Sequence, residues 1–411
     1  MGRVSKVQRT SQSGRELLSA RFLLLTILVG AVALTGCSSR VVKSANHVPV
    51  ERVQAEIPED LLMDVGIQIF DTGIEDAEAE GKTFIFPELR RAESRYFPYQ
   101  LMDTLQTSAA WGAVRVVPNE KNAVDVLVQG KIIESDGELL MLEVTVSDAT
   151  GKEWFNKEYE AITSKYSYDR RRRQESDPFQ GVYNEIANDM LAYRREHFDN
   201  QAIREVRTVA ELRFAQSFSP DAFSEFMSTD KKGIYHIERL PAENDPMLTR
   251  IHQIRERDYL FVDTLQEYYG KFVRDMEQPY DEWRRQSYDE VVRLREIQRS
   301  ARNRKIGGIA AILAGIAAAG SNNGAARAAG QVAVIGGGYV TKSGFDKSAQ
   351  ADIHVEALQE LGDSLEAEIE PHVIEMEDRT ITLSGTVENQ YDQWREILKD
   401  IYILDTQGSV N

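Results

Sequence analysis

The chain has 411 residues, a formal net charge of −17 at pH 7 and a single cysteine, Cys37. One cysteine excludes a disulfide within the chain, so burial of apolar side chains must hold any folded part together. The acidic balance disfavours nucleic acid as a partner, because phosphate binding needs a basic surface.

The first 36 residues have the order of a secretory signal. Basic residues come first, an apolar run of 12 residues over 22–33 follows, and small residues end the segment. This order is typical of an export signal, and the apolar run is too short to span a bilayer. The basic residues are Arg3, Lys6, Arg9, Arg15 and Arg21.

After the apolar run come Leu34, Thr35, Gly36 and Cys37, and these four residues resemble the lipobox of bacterial lipoproteins. The resemblance implies that residues 1–36 are removed and that Cys37 carries a diacylglyceryl group and an N-acyl chain. In such lipoproteins an Asp after the cysteine favours the inner membrane. Ser38 stands there instead, so we expect the periplasmic face of the outer membrane. The alternative is an uncleaved anchor with an unmodified cysteine.

Residues 37–57 are predicted to form a lipidated tether, because they are polar and show no hydrophobic period. An α+β domain is predicted over 58–198. Alternating and β-rich runs predict its strands, at 62–70, 114–117, 124–133, 139–146 and 154–161.

Turn and helix signals complete this domain. Pro98 is predicted in the first turn of a helix that ends near Gly112, and a second helix runs to about Phe198. Asp136-Gly137 predicts a hairpin turn, because these residues tolerate positive dihedral angles. About five strands and two helices predict a two-layer α/β sandwich of the α+β class.

Four segments of this region carry a resemblance. Ile67–Asp71, Pro98–Gln106, Val124–Gly130 and Tyr183–Ala187 resemble, in this order, a periplasmic domain. It recurs in the curli-secretion channel lipoprotein, in lipoprotein activators of peptidoglycan synthases and at the N-terminus of the Tol system's propeller protein. The resemblance covers about residues 55–198 and implies an envelope protein that works by binding partners. The chain lacks the long alternating insert of the channel lipoprotein, so a pore of that kind is not implied.

A run of four arginines is the sharpest local charge feature of the domain. It has two interpretations: a solvated loop, or a contact with lipid phosphates or another acidic envelope polymer. The residues are Arg170, Arg171, Arg172 and Arg173.

Residues 199–305 are charged and are predicted to form a helical hairpin region. A four-three apolar spacing predicts a long helix, with Asp258 interrupting the apolar stripe and Pro279 ending the helix. A second helix after Pro279 is predicted to pack back on the first, and an intermolecular coiled coil is the alternative. The stripe consists of Met247, Ile251, Ile254, Phe261, Leu265, Tyr268 and Phe272.

Residues 306–345 are predicted to form a glycine/alanine-rich helical hairpin. Small residues recur every four positions, which lets two helix backbones approach closely. Its first arm, 306–320, would be ~22 Å long against a hydrocarbon core of ~30 Å. A soluble hairpin, membrane docking and self-association therefore all stay open. The packing positions are Gly307, Ala311, Gly315, Ala319, Ala329, Ala333 and Gly337.

The C-terminal residues 346–411 are predicted to form a helix followed by a ββα unit. The strands are predicted at 373–377 and 380–383, and the last helix contains Trp394 and Leu398 on its apolar face. The run over 381–387 faintly resembles small periplasmic domains associated with envelope surfaces.

No residue pattern predicts catalysis. The six histidines are scattered, so neighbouring histidines cannot form a helical metal site, and a thiolate-rich site would need further cysteines. A phosphate-binding loop needs glycine before its lysine, where Thr341 stands. No nucleophile-elbow motif occurs in the sequence. We expect no metal and no cofactor other than the covalent lipid on Cys37.

These observations predict a non-enzymatic outer-membrane lipoprotein that serves as a scaffold or assembly protein for an envelope export or assembly system. The expected partners are the membrane and envelope proteins, and a second copy of the chain is an open alternative. The alternative is a lipoprotein regulator of a peptidoglycan synthase or another envelope enzyme.

Overall fold

The computed structural model describes residues 41–44, 48–79, 87–118, 124–168, 177–242, 245–319, 372–375, 380–384 and 386–407. The chain divides into two compact units, 1–41 and 42–411. Nearly all described residues belong to the second unit, and the fold below is that of this unit.

A mixed sheet of six strands forms the centre of the fold, with the order β1-β6-β5-β4-β2-β3. β2 is parallel to both β3 and β4, whereas β4, β5 and β6 are joined by antiparallel pairing. The α+β class is confirmed. The strands are β1 (Val41–Ser44), β2 (Val65–Gln68), β3 (Val114–Val117), β4 (Val126–Ser135), β5 (Leu139–Asp148) and β6 (Glu153–Ile162).

Two helices, α2 (Pro87–Ser108) and α3 (Gln180–His197), pack against each other and on this sheet. The short helix α1 (Ile74–Ala79) precedes them. Alternate residues of β5 are buried, as expected for a strand with one face on a core. The core side chains of β5 are Leu140, Leu142, Val144 and Val146.

Pro98 lies inside α2 and does not open it, so that prediction was wrong. A proline within a helix leaves the carbonyl four residues earlier without its usual donor. Here that carbonyl belongs to Ser94, and it accepts a hydrogen bond of 2.9 Å from the amide of Phe70, two residues after β2. The tertiary contact thus replaces the bond that Pro98 removes from the helix.

The predicted hairpin between β4 and β5 is present, but Gly137 has no positive φ. The carboxylate of Asp136 instead accepts the amides of Glu138 and Leu139. A Cβ on Gly137 would lie 2.4 Å from the carbonyl oxygen of Arg284. Glycine is therefore needed here for the close approach of another helix, not for the turn.

The predicted tether over 37–57 is wrong for residues 48–57, because this segment is bound to the domain. Asn184 of α3 donates to the carbonyl of Val48 at 2.7 Å. Asn188 accepts from the amide of Glu51 at 2.8 Å, and the amide of Val53 donates to Ser108 at 2.9 Å. The polar residues of this segment, which show no hydrophobic period, thus lie along α3. Residues 41–44, earlier in the predicted tether, form the strand β1.

The segment after α3 contains more than the predicted helices. It forms α4 (Asn200–Phe218), the four-residue helix α5 (Pro220–Phe223) and a two-stranded sheet of β7 (Met227–Thr229) with β8 (Tyr235–Ile237). Gly233 has a positive φ of 84° in the turn between these strands. The amide of Tyr235 donates to Thr150 at 2.8 Å, which joins this small sheet to the turn before β6.

A single helix, α6 (Pro246–Ala319), has 74 residues and is about 110 Å long at about 1.5 Å per residue. The predicted break at Pro279 and the helical hairpin were therefore wrong. Proline inside a helix costs about 3 kcal/mol. Met276 and Tyr280, on either side of Pro279, are both fully buried, and their packing offsets this cost.

The described residues near the C-terminus form two strands followed by a helix. β9 (His372–Glu375) pairs with β10 (Thr380–Leu383) in antiparallel register, and α7 (Val387–Gln407) follows. α7 packs on the N-terminal half of α6, where Phe261 stacks on Trp394 at 5.2 Å between ring centroids.

Candidate functional sites

The predicted site residues fall into two groups. Gly307, Ala311, Gly315 and Ala319 lie on α6, where a spacing of four places them along one side of the helix. The others lie outside the described residues, namely Leu34, Thr35, Gly36, Cys37, Ala329, Ala333, Gly337 and Arg170 to Arg173. None of the described helices is both long and apolar enough to cross a membrane.

The first site that sequence reasoning missed is a buried polar cluster around Glu93 of α2. Its carboxylate accepts hydrogen bonds from Tyr280 of α6 at 2.6 Å and from Ser135 of β4 at 2.5 Å. Arg90 lies 3.8 Å away. Burial raises the pKa of Glu93, although Arg90 and the two hydroxyl groups act in the opposite direction. The cluster therefore ties α6 to both the sheet and α2.

A second buried cluster surrounds Asp177, just before α3. The Arg284 guanidinium of α6 reaches both carboxylate oxygens of Asp177, at 2.9 and 3.3 Å, and Tyr96 of α2 donates to Asp177 at 3.0 Å. Both partners of the ion pair are at most 2% exposed. Burial alone would raise the pKa of Asp177, but Arg284 and the hydrogen bonds hold it below its usual range.

Arg284 makes three further contacts that fix its position. It donates to Asp281 at 2.8 Å, and its guanidinium lies 4.0 Å from the ring centre of Tyr280 and 5.8 Å from that of Phe179. A charge in this environment is stable only while its partners remain, because desolvation of an unpaired charge is strongly unfavourable. The Asp177 and Glu93 clusters thus make the position of α6 on the domain specific.

α6 also covers the open edge of the sheet. β3 is the last strand of the sheet and pairs only with β2, so no strand binds the backbone N–H and C=O groups on its outer edge. The side-chain amide of Gln266 accepts from the amide of Val116 at 2.9 Å and donates to its carbonyl at 2.8 Å. Arg115 pairs beside it with Asp263. Gln266 occupies the place of a neighbouring strand, which protects the edge from pairing with other chains.

Asp258, the residue that breaks the predicted apolar stripe, joins α6 to α7. It lies 3.7 Å from Arg395 and accepts a hydrogen bond of 3.3 Å from Tyr391. Burial raises the pKa of Asp258 to about 6, against the opposing effect of Arg395. The stripe around it is buried within the chain: Ile251, Ile254, Phe261 and Leu265 are at most 5% exposed.

Two open clefts lie beside these contacts. One has a volume of about 530 Å³ and is lined by charged side chains from the segments before β2 and β4, from α4 and from α6. Its charges are largely paired: Arg204 binds Asp60 at 2.8 Å, His252 contacts Glu211, and Arg207 lies 3.9 Å from Asp125. Such pairing is typical of a surface that connects elements of the fold.

The other cleft has a volume of about 870 Å³ and lies between α4, β8 and α7. Arg213 lies over the ring of Tyr235 at 4.6 Å and donates to Ala149 at 2.8 Å. Arg395, which also lines it, donates to Ser217 at 3.0 Å. These polar groups hold the β7–β8 sheet and α7 beside α4.

Among the described residues, no group of three or more His, Cys, Asp or Glu side chains is placed so that it could hold a metal ion. The described polar clusters fix the long helix α6 on the sheet domain through buried ionic and hydrogen-bonded groups.

Sequence signals for these sites were weak. Asp258 interrupts an apolar stripe, and a polar residue at such a position usually has a buried hydrogen-bond or ion-pair partner. Arg284, Glu93 and Gln266 lie in charged stretches that look solvated, and only the tertiary structure brings their partners together.

Comparison with known proteins adds no relative: no family model, no curated protein and no solved structure matches this chain.

Proposed function

We propose that this chain is a lipid-anchored, non-enzymatic scaffold of the bacterial envelope, on the periplasmic face of the outer membrane, and that α6 carries its contacts with other proteins. The observation that supports this most is the length of α6 together with the way it is held. A helix of 74 residues exceeds what the domain needs for its own core.

The part of α6 after residue 288 contains the small residues on which the proposal depends. α6 contacts the sheet domain at Tyr288, whose backbone approaches Gly137. The helix continues for another 31 residues, 289–319, which is about 46 Å at about 1.5 Å per residue. Gly307, Ala311, Gly315 and Ala319 lie in this part, and small residues at this spacing favour close helix packing.

A second copy of the chain is the partner that this pattern favours, because a stripe of small residues is complementary to itself. Helices that meet through such stripes pack backbone to backbone, and a large side chain in the stripe separates them. In this proposal the anchor on Cys37 supplies the location, and α6 supplies the assembly contact.

The resemblance of residues 55–198 to envelope lipoprotein domains agrees with this proposal. The rival role, a regulator that reaches through the cell wall to a synthase, would need a long free segment after the lipid. Residues 48–57 are bound along α3 and α2, which shortens that segment and disfavours the rival.

Substitution within the small-residue stripe tests the proposal. In the full chain extracted from membranes, Gly315→Leu should reduce the mass of the complex measured by light scattering. Ala317→Leu is the matched control, since it adds a similar side chain two positions away on the opposite side of the helix. An unchanged mass for both variants, equal to one chain, would contradict self-association through α6.

The anchor is tested separately. Cys37→Ser should release the protein from the membrane fraction, and the mass of the N-terminal peptide should show acylation of Cys37 in the unsubstituted chain. A chain that stays membrane-bound without acylation would contradict the lipoprotein assignment.

A further inference from the structure

The hairpin of β7 and β8 has one inner and one outer strand. β8 is joined to the main domain, because the amide of Tyr235 donates to the carbonyl of Thr150 at 2.8 Å. β7 pairs only with β8. The side chain of Met227 is buried, which fixes β7 on the fold. β7 is therefore a fixed strand at the outer edge of this small sheet.

The hydrogen bonds of the hairpin show which residues of β7 bind β8. Near its two ends, the amide of Glu238 donates to Phe226 and the amide of Asp230 donates to Ile234, both at 2.9 Å. In an antiparallel pair, only alternate residues exchange hydrogen bonds with the neighbouring strand. Ser228, midway between Phe226 and Asp230, is therefore the residue of β7 whose backbone groups bind β8.

The other two residues of β7, Met227 and Thr229, direct their N–H and C=O groups away from β8. None of these four groups has a hydrogen-bond partner among the described residues. Unpaired groups at a strand edge are a template for pairing with another chain. The edge of β3 is covered by Gln266, whereas nothing in the described part of the chain covers the edge of β7.

The β7 edge of a second copy is complementary to this edge. In an antiparallel pairing with a two-fold axis at Ser228, each Met227 faces Thr229 of the second copy. The outward groups of both strands then exchange four hydrogen bonds. Every outward group of Met227 and Thr229 is thereby paired.

The charges beside β7 fit the same pairing. Lys231 lies two residues after Thr229, and Glu225 lies two residues before Met227, so the two-fold axis brings Lys231 of one copy toward Glu225 of the other. Lys231 is exposed, and the side chain of Glu225 is 75% exposed. Glu225 pairs with Arg239 at 2.7 Å, and a carboxylate has acceptor capacity for a second cation.

We infer that two copies of the chain join through their β7 strands and form one four-stranded sheet across a two-fold axis. This contact goes beyond the proposed role of α6, because it uses a different surface and does not require the small-residue stripe. A chain that forms both contacts would belong to an assembly of more than two copies.

A disulfide at the two-fold axis tests this contact in the full chain, in isolated membranes under mild oxidation. Ser228 would lie about 4.5 Å from Ser228 of the second copy between Cα atoms, and a disulfide spans about 4.4–6.8 Å. Ser228→Cys should therefore give a covalent dimer. Lys232→Cys is the matched control, because it is exposed on the same hairpin but lies away from the axis. The mass of the linked peptide distinguishes position 228 from Cys37.

Second substitutions in the Ser228→Cys chain test the geometry. Thr229→Pro removes an outward N–H that the hairpin does not use, and proline is tolerated at such an edge position, so the disulfide yield should fall severalfold. Thr229→Val keeps the N–H and should leave the yield unchanged. Lys231→Glu places like charges opposite each other and should lower the yield, and adding Glu225→Lys should restore it.

A disulfide yield for Ser228→Cys no higher than for Lys232→Cys would overturn the β7 contact. Equal yields with Thr229→Pro and Thr229→Val would overturn it as well, because the pairing requires the outward N–H. In the Gly315→Leu chain the disulfide should still form, since the two contacts lie on different surfaces. Its complete loss there would overturn a contact that is independent of α6.

Discussion

Loss of the Arg284 guanidinium should destabilise the protein more than loss of almost any other charge. Arg284→Met keeps the length and apolar volume of the side chain but leaves Asp177 without its ion-pair partner. Three hydrogen bonds are lost, two to Asp177 and one to Asp281. Breaking a buried pair by removing one partner costs about 3–5 kcal/mol, and we expect a decrease of this size in the free energy of unfolding.

The neighbouring Arg285 offers a matched control. It pairs with Glu282 but its side chain is 54% exposed, and exposed pairs contribute about 0–1 kcal/mol. Urea unfolding of the full chain, followed by circular dichroism, should separate Arg284→Met from Arg285→Met by about 3 kcal/mol. Hydrogen exchange should show the loss of protection in α6 between 276 and 288 before it appears in β5.

A double substitution tests the cause. Arg284→Met combined with Asp177→Asn removes both charges, so the double variant should be less destabilised than the sum of the two single variants. Additive effects, or equal unfolding free energies for Arg284→Met and Arg285→Met, would refute the conclusion that this ion pair fixes α6.

Three further predictions concern α6. Gln266→Ala should expose the edge of β3, which should lower the free energy of unfolding by about 1–3 kcal/mol and increase aggregation on storage. Gln253→Ala, on the exposed side of α6, should change neither the unfolding free energy nor the aggregation. Burial raises the pKa of Asp258 to about 6, so the protonated carboxyl group stabilises the fold fully below pH 4, and this stabilisation is lost as the pH rises through 6. Relative to Asp258→Asn, the free energy of unfolding of the unsubstituted chain should fall by about 3 kcal/mol between pH 4 and 7. A difference in unfolding free energy that does not depend on pH would contradict this. Pro279→Ala should raise the free energy of unfolding by about 1–3 kcal/mol, with Gln278→Ala as a neutral control, and a destabilised Pro279→Ala would show that the helix needs the proline.

Alternation and turn signals predicted the sheet well, because they depend on neighbouring residues. β3 has the predicted bounds, and the ends of β4, β5 and β6 lie at most two residues from the predicted ones. Alternate burial along β5 shows why: each strand has one apolar face, and that face is visible in the sequence.

Both prolines were misinterpreted for one physical reason. Proline near an apolar stripe predicts a helix boundary when only local rules apply. Pro98 is accommodated because Phe70 uses the carbonyl that the proline leaves free, and Pro279 because Met276 and Tyr280 are buried on both sides. Neither compensation can be predicted from local spacing, since the partners lie far away in the chain.

The candidate sites were harder to predict than the fold. The ion pair between Asp177 and Arg284 joins residues 107 positions apart, and the hydrogen bond between Glu93 and Tyr280 joins residues 187 apart. Charged residues at such separations give no periodic signal. Among the residues of the candidate sites, only Asp258 gives a sequence signal, because it interrupts an apolar stripe.

Photo-crosslinking in intact cells tests the central claim most directly. A photoreactive amino acid is placed at Ala311 of α6, with Leu260 as the exposed control position on the same helix. We predict a membrane-associated adduct of twice the chain mass from position 311, which Gly315→Leu abolishes, and no such adduct from position 260. The absence of any protein adduct from position 311 would contradict an assembly role for α6.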